Sequence, residues 1–334
     1  MVTLKDIAAR AGVSMMTVSR VINGNQGGKV SETTAQRIRT IADEMGYVPN
    51  SSARSLAARS SRIIAAVLRN TDNGNPLADP YSSLFLGIII KTMQQKGYYV
   101  MVHFVQDYSD ITLSLRSWRA EGAIFLGVFD SEMRKIRNEN QMALVFTDSY
   151  SNVRQVSNVG IDDYKGGALA AEHFLSRGHR RLAFAGPLAD STGVISERLA
   201  GFSETLSQAG VILPENQIYN QAARSTEEIL SAIMKSEERP TGLFVTSDQI
   251  ASEIYIAAHH MGIAIPDDLS LIGFDDFPLE RISTLGLTSI HQDIEEKAAL
   301  ACDILLRRIA DPDMPSESQT LDVKLIERES VKYL

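Results

Sequence analysis

Thr3-Leu-Lys-Asp-Ile-Ala-Ala-Arg-Ala-Gly-Val-Ser-Met-Met-Thr-Val-Ser-Arg-Val-Ile-Asn23 is the stretch whose reading decides the fold. Thr3 and Asp6 form a T-x-x-D capping box, after which Leu4, Ile7, Ala8 and Ala11 recur at helical spacing until Gly12 interrupts them. Ser14 is placed to cap a second helix with Val18, Val21 and Ile22 on one face. Only Gly12, Val13 and Ser14 separate the two helices, and a Gly-containing turn of that length is what a helix-turn-helix requires. In that motif the second helix enters the DNA major groove with its first residues towards the base edges. The outward residues here are Met15, Met16, Thr17, Ser19, Arg20 and Asn23. Arg20 can donate two hydrogen bonds to guanine, the methionines can touch thymine methyls, and the hydroxyls suit phosphate oxygens. A plain helical hairpin with a solvated face fits the same spacing, but it has little reason to display two methionines.

Ser31 then caps a third helix, whose Ile38, Ile41, Ala42 and Met45 share one face before Gly46 stops it. Three such faces can close a small core. Charge agrees with this division. The whole chain of 334 residues carries −8, which alone argues against a polyanionic partner. Residues 1–60, however, hold eight basic against four acidic residues, a net +4, and the remaining 274 hold 25 against 37, a net −12. A basic module on an acidic body is a recognised sign of nucleic-acid binding.

From Arg62 onward, short β-rich runs alternate with amphipathic helical stretches, the pattern of an α/β protein. Strands are expected at 63–68, 98–105, 123–129, 143–147, 182–185, 242–246 and 269–274, and helices at 163–177, 196–208 and 226–235. Several strands are continuously apolar, as in parallel sheets covered on both faces. Their order in sequence fits one large sheet or two smaller ones. Ligands of open α/β sheets sit beyond the carboxyl ends of the strands. That rule singles out Asp148, Ser247, Asp248 and Asp275, each of which follows an expected strand.

Other features exclude or narrow. No apolar run reaches the ~18 residues that span a bilayer, and the amino terminus offers no signal-peptide pattern, so a cytoplasmic, nucleoid-associated protein is expected. The single cysteine, Cys302, excludes an intrachain disulfide and reads as a small core residue. His259 and His260 are adjacent on a helix and diverge by about 100°, so no metal site is expected. Trp118 reads as a packing residue. Phosphate-loop, dinucleotide, nucleophile-elbow and H-E-x-x-H motifs are not found, so neither an enzyme nor a cofactor is expected. Three function classes remain: a ligand-controlled transcription factor, a sugar-binding protein without DNA function, and a sugar-modifying enzyme.

The first stretch, followed by Val30-Ser31 and Gly46-Tyr-Val-Pro-Asn50, resembles the headpiece of the lactose repressor and galactose repressor family. The likeness continues through Asn158-Val-Gly-Ile-Asp-Asp163, Glu197-Arg-Leu-Ala-Gly-Phe202, Thr246-Ser-Asp-Gln249, Gly273-Phe-Asp-Asp276 and Leu287-Thr-Ser-Ile-His-Gln-Asp293. It implies a headpiece at 1–48, a hinge helix at 49–60, and a body at 61–334 like a periplasmic sugar-binding protein. The body would have an amino-terminal lobe at about 61–160 and 292–319 and a carboxy-terminal lobe at about 161–291 and 320–334. Thr3 and Ser14 join the DNA-binding set by the same resemblance. So do Ala53, Arg54 and Leu56 of the hinge, with Leu56 as a wedge in the minor groove. Asp148, Arg198, Ser247, Asp248, Asp275 and Gln292 are the implied effector residues. The expected partners are a near-palindromic operator, a small ligand that is a sugar or, alternatively, a nucleobase, and a second copy of the chain. No heptad tail follows the body, so a dimer is expected rather than a tetramer. Ser247 stands where many sugar-binding members have asparagine, and no aromatic residue lies near Gln221–Arg224; both leave the effector's identity open.

Overall fold

The computed structural model describes residues 2–23, 30–48, 60–70, 75–106, 111–127, 130–139, 142–149, 156–188, 193–277 and 286–334. They fall into two units, Met1–Ser61 and Arg62–Leu334. In the first unit, α1 (Leu4–Ala11) starts at the expected capping box, with Thr3 and Asp6 satisfying each other's backbone N–H groups. It ends at Gly12, whose φ of 64° is the left-handed conformation that glycine adopts without strain. Ser14 and Ser31 cap α2 (Met15–Ile22) and α3 (Glu32–Glu44) by accepting from the N–H groups of Thr17 and Thr34. Ile7, Ala8, Ala11, Val18, Val21, Ala35, Ile38 and Ala42 close one shared core. Leu4, Ile22, Ile41 and Met45 pack at its margin, where the periodicity placed them inside. The hinge, with Ala53, Arg54 and Leu56, lies outside the described residues.

The second unit answers the question of one sheet or two. β1 (Ile63–Arg69), β2 (Tyr99–Val105), β3 (Gly122–Leu126), β4 (Ala143–Thr147), β5 (Ser157–Ile161) and β11 (Ser318–Leu321) form a six-stranded sheet in the order β11-β5-β4-β3-β1-β2. β6 (Leu182–Gly186), β7 (Ile218–Asn220), β8 (Gly242–Val245), β9 (Ser270–Asp275), β10 (Thr288–His291) and β12 (Lys324–Ile326) form a second, in the order β12-β10-β9-β8-β6-β7. All pairings are parallel except β10 with β12. The chain therefore passes between the sheets three times, after Ile161, after His291 and after Leu321.

Each sheet is covered on both faces, which explains its continuously apolar strands. α4 (Pro80–Gln95) and α11 (Ile294–Ala310) bury Phe85, Ile89, Ala298, Cys302 and Leu305 against Ile64, Ile124 and Val145 of the first sheet. α5 (Ile111–Ser117) and α6 (Asp130–Glu139) cover its other face through Leu115, Met133 and Ile136. On the second sheet, α7 (Asp163–Ser176) and α8 (Val194–Gln208) pack Phe174 and Phe202 against Phe184, Phe244 and Phe274. α9 (Thr226–Lys235) and α10 (Asp248–His260) cover the opposite face through Ile229, Ile233 and Ile254. α7 and α8 approach closely because of paired glycines: a Cβ on Gly167 would lie 2.0 Å from the Arg198 carbonyl oxygen, and one on Gly201 1.9 Å from that of Tyr164. Trp118 departs from expectation. It is 59% exposed at the end of the seven-residue α5, too short an element to turn it back onto the sheet.

Candidate nucleic-acid interface and ligand cleft

On the first unit, α2 buries Val18 and Val21 and thereby turns its opposite face outward. Met15 and Met16 are 57% and 63% exposed, an uncommon display of apolar surface on so small a unit. Ser14 and Thr17 share a hydroxyl contact of 2.8 Å while Ser14 also caps the helix, so these two side chains fix the helix start. Ser19 accepts from the Asn23 amide at 3.2 Å. Arg20 is half-buried and forms no ion pair among the described residues, which leaves its charge available. Thr3 is committed to Asp6 through its hydroxyl and its N–H.

On the second unit, the carboxyl ends of β4 and β9 carry Asp148 and Asp275, with φ of 54° and 107°. Both lie in backbone conformations that L-residues seldom adopt, a cost commonly concentrated at functional sites. Asp148 accepts from the Tyr81 hydroxyl, next to the start of α4, and from Lys297 Nζ at 2.7 Å, on the first turn of α11. Lys297 also donates to Gln292 Oε1 at 2.8 Å, and Gln292 Nε2 donates to Asp275 Oδ1 at 2.6 Å. An unbroken chain of hydrogen bonds thus runs from the strand end of one sheet to that of the other.

Arg198, on the first turns of α8, donates from Nε to Asp163 at 2.6 Å and from Nη1 to the Thr246 carbonyl at the end of β8. Its guanidinium lies 3.5 Å from the centroid of the Phe274 ring. The glycine contact between α7 and α8 is what brings Asp163 and Arg198 within reach of each other. Thr246 Oγ1 is buried beside them without a hydrogen-bond partner among the described residues.

Burial governs the protonation of these groups. It pushes the Asp275 carboxyl up to about 7, against the opposing pull of Arg198 and Gln292. Tyr81 is held well above the usual phenol range by burial and then by Asp148, so it remains a donor. Asp248 is pushed up to about 8 by burial and then by the nearby Asp275.

The strand-end residues do not all face the same way. Asp148, Asp275 and Gln292 belong to one hydrogen-bonded chain through Lys297, and Arg198, bonded to Asp163 and Thr246, acts on Asp275 through its charge. Ser247 caps α10 by accepting from the Ile250 N–H at 3.2 Å. Asp248 turns its oxygens to the Phe277 N–H at 2.8 Å and the Ser289 hydroxyl at 2.7 Å, bracing the segment after β9. A Cβ on the neighbouring Gly273 would fall 2.2 Å from Asp248 Oδ1, so the carboxyl fills the space of a side chain. Sequence reasoning missed Lys297, Tyr81 and Asp163. Lys297 did leave a signal: it interrupts the apolar stripe Ile294, Ala298, Ala301 and Leu305, a phase at which an unpaired charge has no place. His259 and His260 have ring centroids 6.2 Å apart, and no group of residues able to hold a metal ion exists among the described residues.

A helix-turn-helix unit attached to a two-lobed α/β body defines a class: DNA-binding regulators with a periplasmic-binding-protein-like body. Residues 3–50 match the family described as bacterial regulatory proteins, lacI family, and residues 171–331 match the periplasmic binding protein-like domain. The chain is 30% identical over 343 residues, covering 99% of it and 97% of the relative, to the HTH-type transcriptional repressor PurR of Erwinia tasmaniensis. It superposes on the Lac repressor dimer bound to operator and the anti-inducer ONPF with a TM-score of 0.84 at 25% identity, covering 99% of both chains. The transcriptional regulator CelR in its cellobiose complex superposes with a TM-score of 0.71 at 25% identity, over 99% of this chain and 100% of that one. The chain belongs to the lacI family and is a DNA-binding transcriptional repressor, not an enzyme.

Proposed function

We propose that a homodimer of this chain places two α2 helices in successive major grooves of a near-palindromic operator, and that a small ligand between the lobes sets its affinity for that operator. Met15, Met16 and Arg20 read base edges, with Thr17, Ser19 and Asn23 beside them, Thr3 and Ser14 hold the helix starts near the backbone, and the hinge residues Ala53, Arg54 and Leu56 enter the minor groove. The ligand contacts Asp148, Arg198, Asp275 and Gln292, with Ser247 at the edge and Asp248 bracing the wall. The observation that carries this reading is the hydrogen-bonded chain Asp148–Lys297–Gln292–Asp275, which spans the two sheets and which a bound ligand would join or rearrange. Movement of one lobe against the other would change how the two subunits present their DNA-binding residues to the operator, a coupling of ~1–3 kcal/mol in allosteric proteins. Such a protein acts in the cytoplasm, on the nucleoid.

A sugar and control of a carbohydrate-utilisation operon form the first reading of the ligand, supported by the cellobiose complex of CelR. A nucleobase is the second, supported by the PurR relatives. Gel retardation with genomic fragments, run with and without cellobiose, galactose, hypoxanthine and guanine, tests both. Retardation that one of these ligands strengthens or relieves is expected; retardation indifferent to ligands that bind the protein would refute ligand control.

A further inference from the structure

Lys297 is fully buried, and its place in the fold opposes it twice. A buried ammonium forfeits hydration, and a cation on the first turn of a helix meets the positive end of the dipole. A leucine at this phase would simply extend the core formed by Ile294, Ala298 and Ala301. What holds the lysine is a specific set of partners: Asp148 at 2.7 Å, Gln292 at 2.8 Å and the Tyr81 ring, 4.7 Å from its nitrogen to the centroid.

These partners have a directional consequence. An ammonium only donates, so Gln292 must turn its carbonyl oxygen to Lys297 and its amide nitrogen to Asp275. Asp275 then accepts from Gln292 through Oδ1, and its Oδ2 has no donor among the described residues. On the other side Arg198 spends Nε on Asp163 and Nη1 on Thr246, and its Nη2 has no acceptor among the described residues. The charge count is equally constrained. Lys297 is paired with Asp148 and Arg198 with Asp163, which leaves Asp275 as a third carboxyl with no ion pair among the described residues, only the longer-range pull of those two cations.

We propose that Lys297 is the specificity-determining residue of the cleft: it fixes Gln292 as a donor and commits its own charge to Asp148, so that the cleft takes an uncharged ligand bearing a hydrogen-bond donor for Asp275 and refuses phosphate esters and carboxylates. This rests on the ligand-controlled reading above. It adds that Lys297 acts as a positioning residue through Gln292, and that a phosphorylated or oxidised form of the ligand is discriminated against by the absence of an uncommitted cation.

The test uses the full chain and two sets of probes in thermal-shift and calorimetric titrations. Cellobiose, galactose, hypoxanthine and guanine are the uncharged set; glucose 6-phosphate, glucuronate and inosine monophosphate are the anionic set. At least one uncharged probe is expected to bind at least ten-fold more tightly than every anionic one. An anionic probe that binds as tightly as the best uncharged probe overturns the proposal, and so does a panel in which nothing binds. Lys297→Met, shown to be folded by its melting transition, should weaken the bound uncharged probe at least ten-fold and narrow its advantage over the anionic probes; unchanged affinity and unchanged preference overturn the proposal. Should that variant fail to fold, Gln292→Glu carries the same test, since it keeps Lys297 paired but removes the donor facing Asp275; a ten-fold loss is again expected, and unchanged affinity overturns the proposal. Loss of operator retardation by the wild-type chain would instead refute the repressor reading itself.

Discussion

Arg20 and Asp248 show how differently a charged side chain can be used. Arg20 stands on the outward face of α2 without an ion pair among the described residues, a guanidinium prepared for a planar acceptor. Replacing it with Ala should cost ~1–3 kcal/mol of operator affinity and relax preference at one base pair. Retardation assays over single-base operator variants check this, and a loss uniform across all variants would make Arg20 a phosphate contact. Asp248 works inward. Burial, then Asp275, raises it to about 8, and Asp275 itself lies at about 7, against an ordinary value of 3.8. The folded chain therefore keeps protons that the unfolded chain has released, so the stability these groups contribute is full below the ordinary value and is lost as pH rises towards about 8. His173 and His179, lowered by burial from 6.5, act in the opposite direction at more acidic pH, so the interval from pH 7 to 8 isolates the carboxyls. Asp248→Asn should flatten the decline in unfolding free energy over that interval, by up to ~1.4 kcal/mol per pH unit. Chemical denaturation at a series of pH values measures the slope, and an unchanged slope would return Asp248 to ionised status throughout.

Among elements, the contact of α7 with α8 is the one that seats Arg198 and Asp163 of the proposed ligand site. Gly201→Ala would drive a methyl group into the Tyr164 carbonyl and should destabilise the body by at least ~1–3 kcal/mol, the usual cost of overpacking. It should also loosen Arg198 from Asp163, so its melting midpoint and its ligand affinity ought to fall together. The DNA contact proposed for Leu56 is separable from the ligand site: Leu56→Ala should weaken operator binding while leaving ligand affinity nearly intact, as retardation and calorimetry on one preparation can show. Legibility in the sequence also varied by element. The three capped helices of the first unit, the buried strands β1, β3, β4, β6, β8 and β9 and the half-exposed edge strand β2 declared themselves, because caps and apolar β-rich runs are local signals. β11 and β12 did not. Ser318–Leu321 is polar and largely exposed, and Lys324–Ile326 is three residues long; both are edge strands created by pairing with β5 and β10. The cleft divided along the same line. Asp148 and Asp275 follow from a rule about strand ends, whereas Lys297 reaches Asp148 from 149 residues away and acquires its meaning only in the folded chain.

At the scale of the molecule, the contrast between a basic first unit of +4 and an acidic remainder of −12 has a thermodynamic consequence. An acidic body repels phosphates and so penalises orientations that lay it along the duplex. Residues 1–60 alone should bind non-specific DNA more tightly than the full chain at matched salt, with both affinities falling as salt rises. Fluorescence anisotropy with a random duplex decides the matter, and equal affinities would show the body to be electrostatically indifferent.

The three passages between the sheets also set an order in time. The first sheet is begun at Ile63, yet one of its faces is closed by α11, and its edge is completed by β11 at Leu321. On the ribosome this lobe emerges early and must wait, with that face covered by α4 alone, until nearly the whole chain has been made. The second sheet, whose first strand starts at Leu182, can gather five of its six strands while that delay lasts. The lobe translated first is therefore the one that carries an incompletely covered apolar face for longest, the condition that favours aggregation during folding.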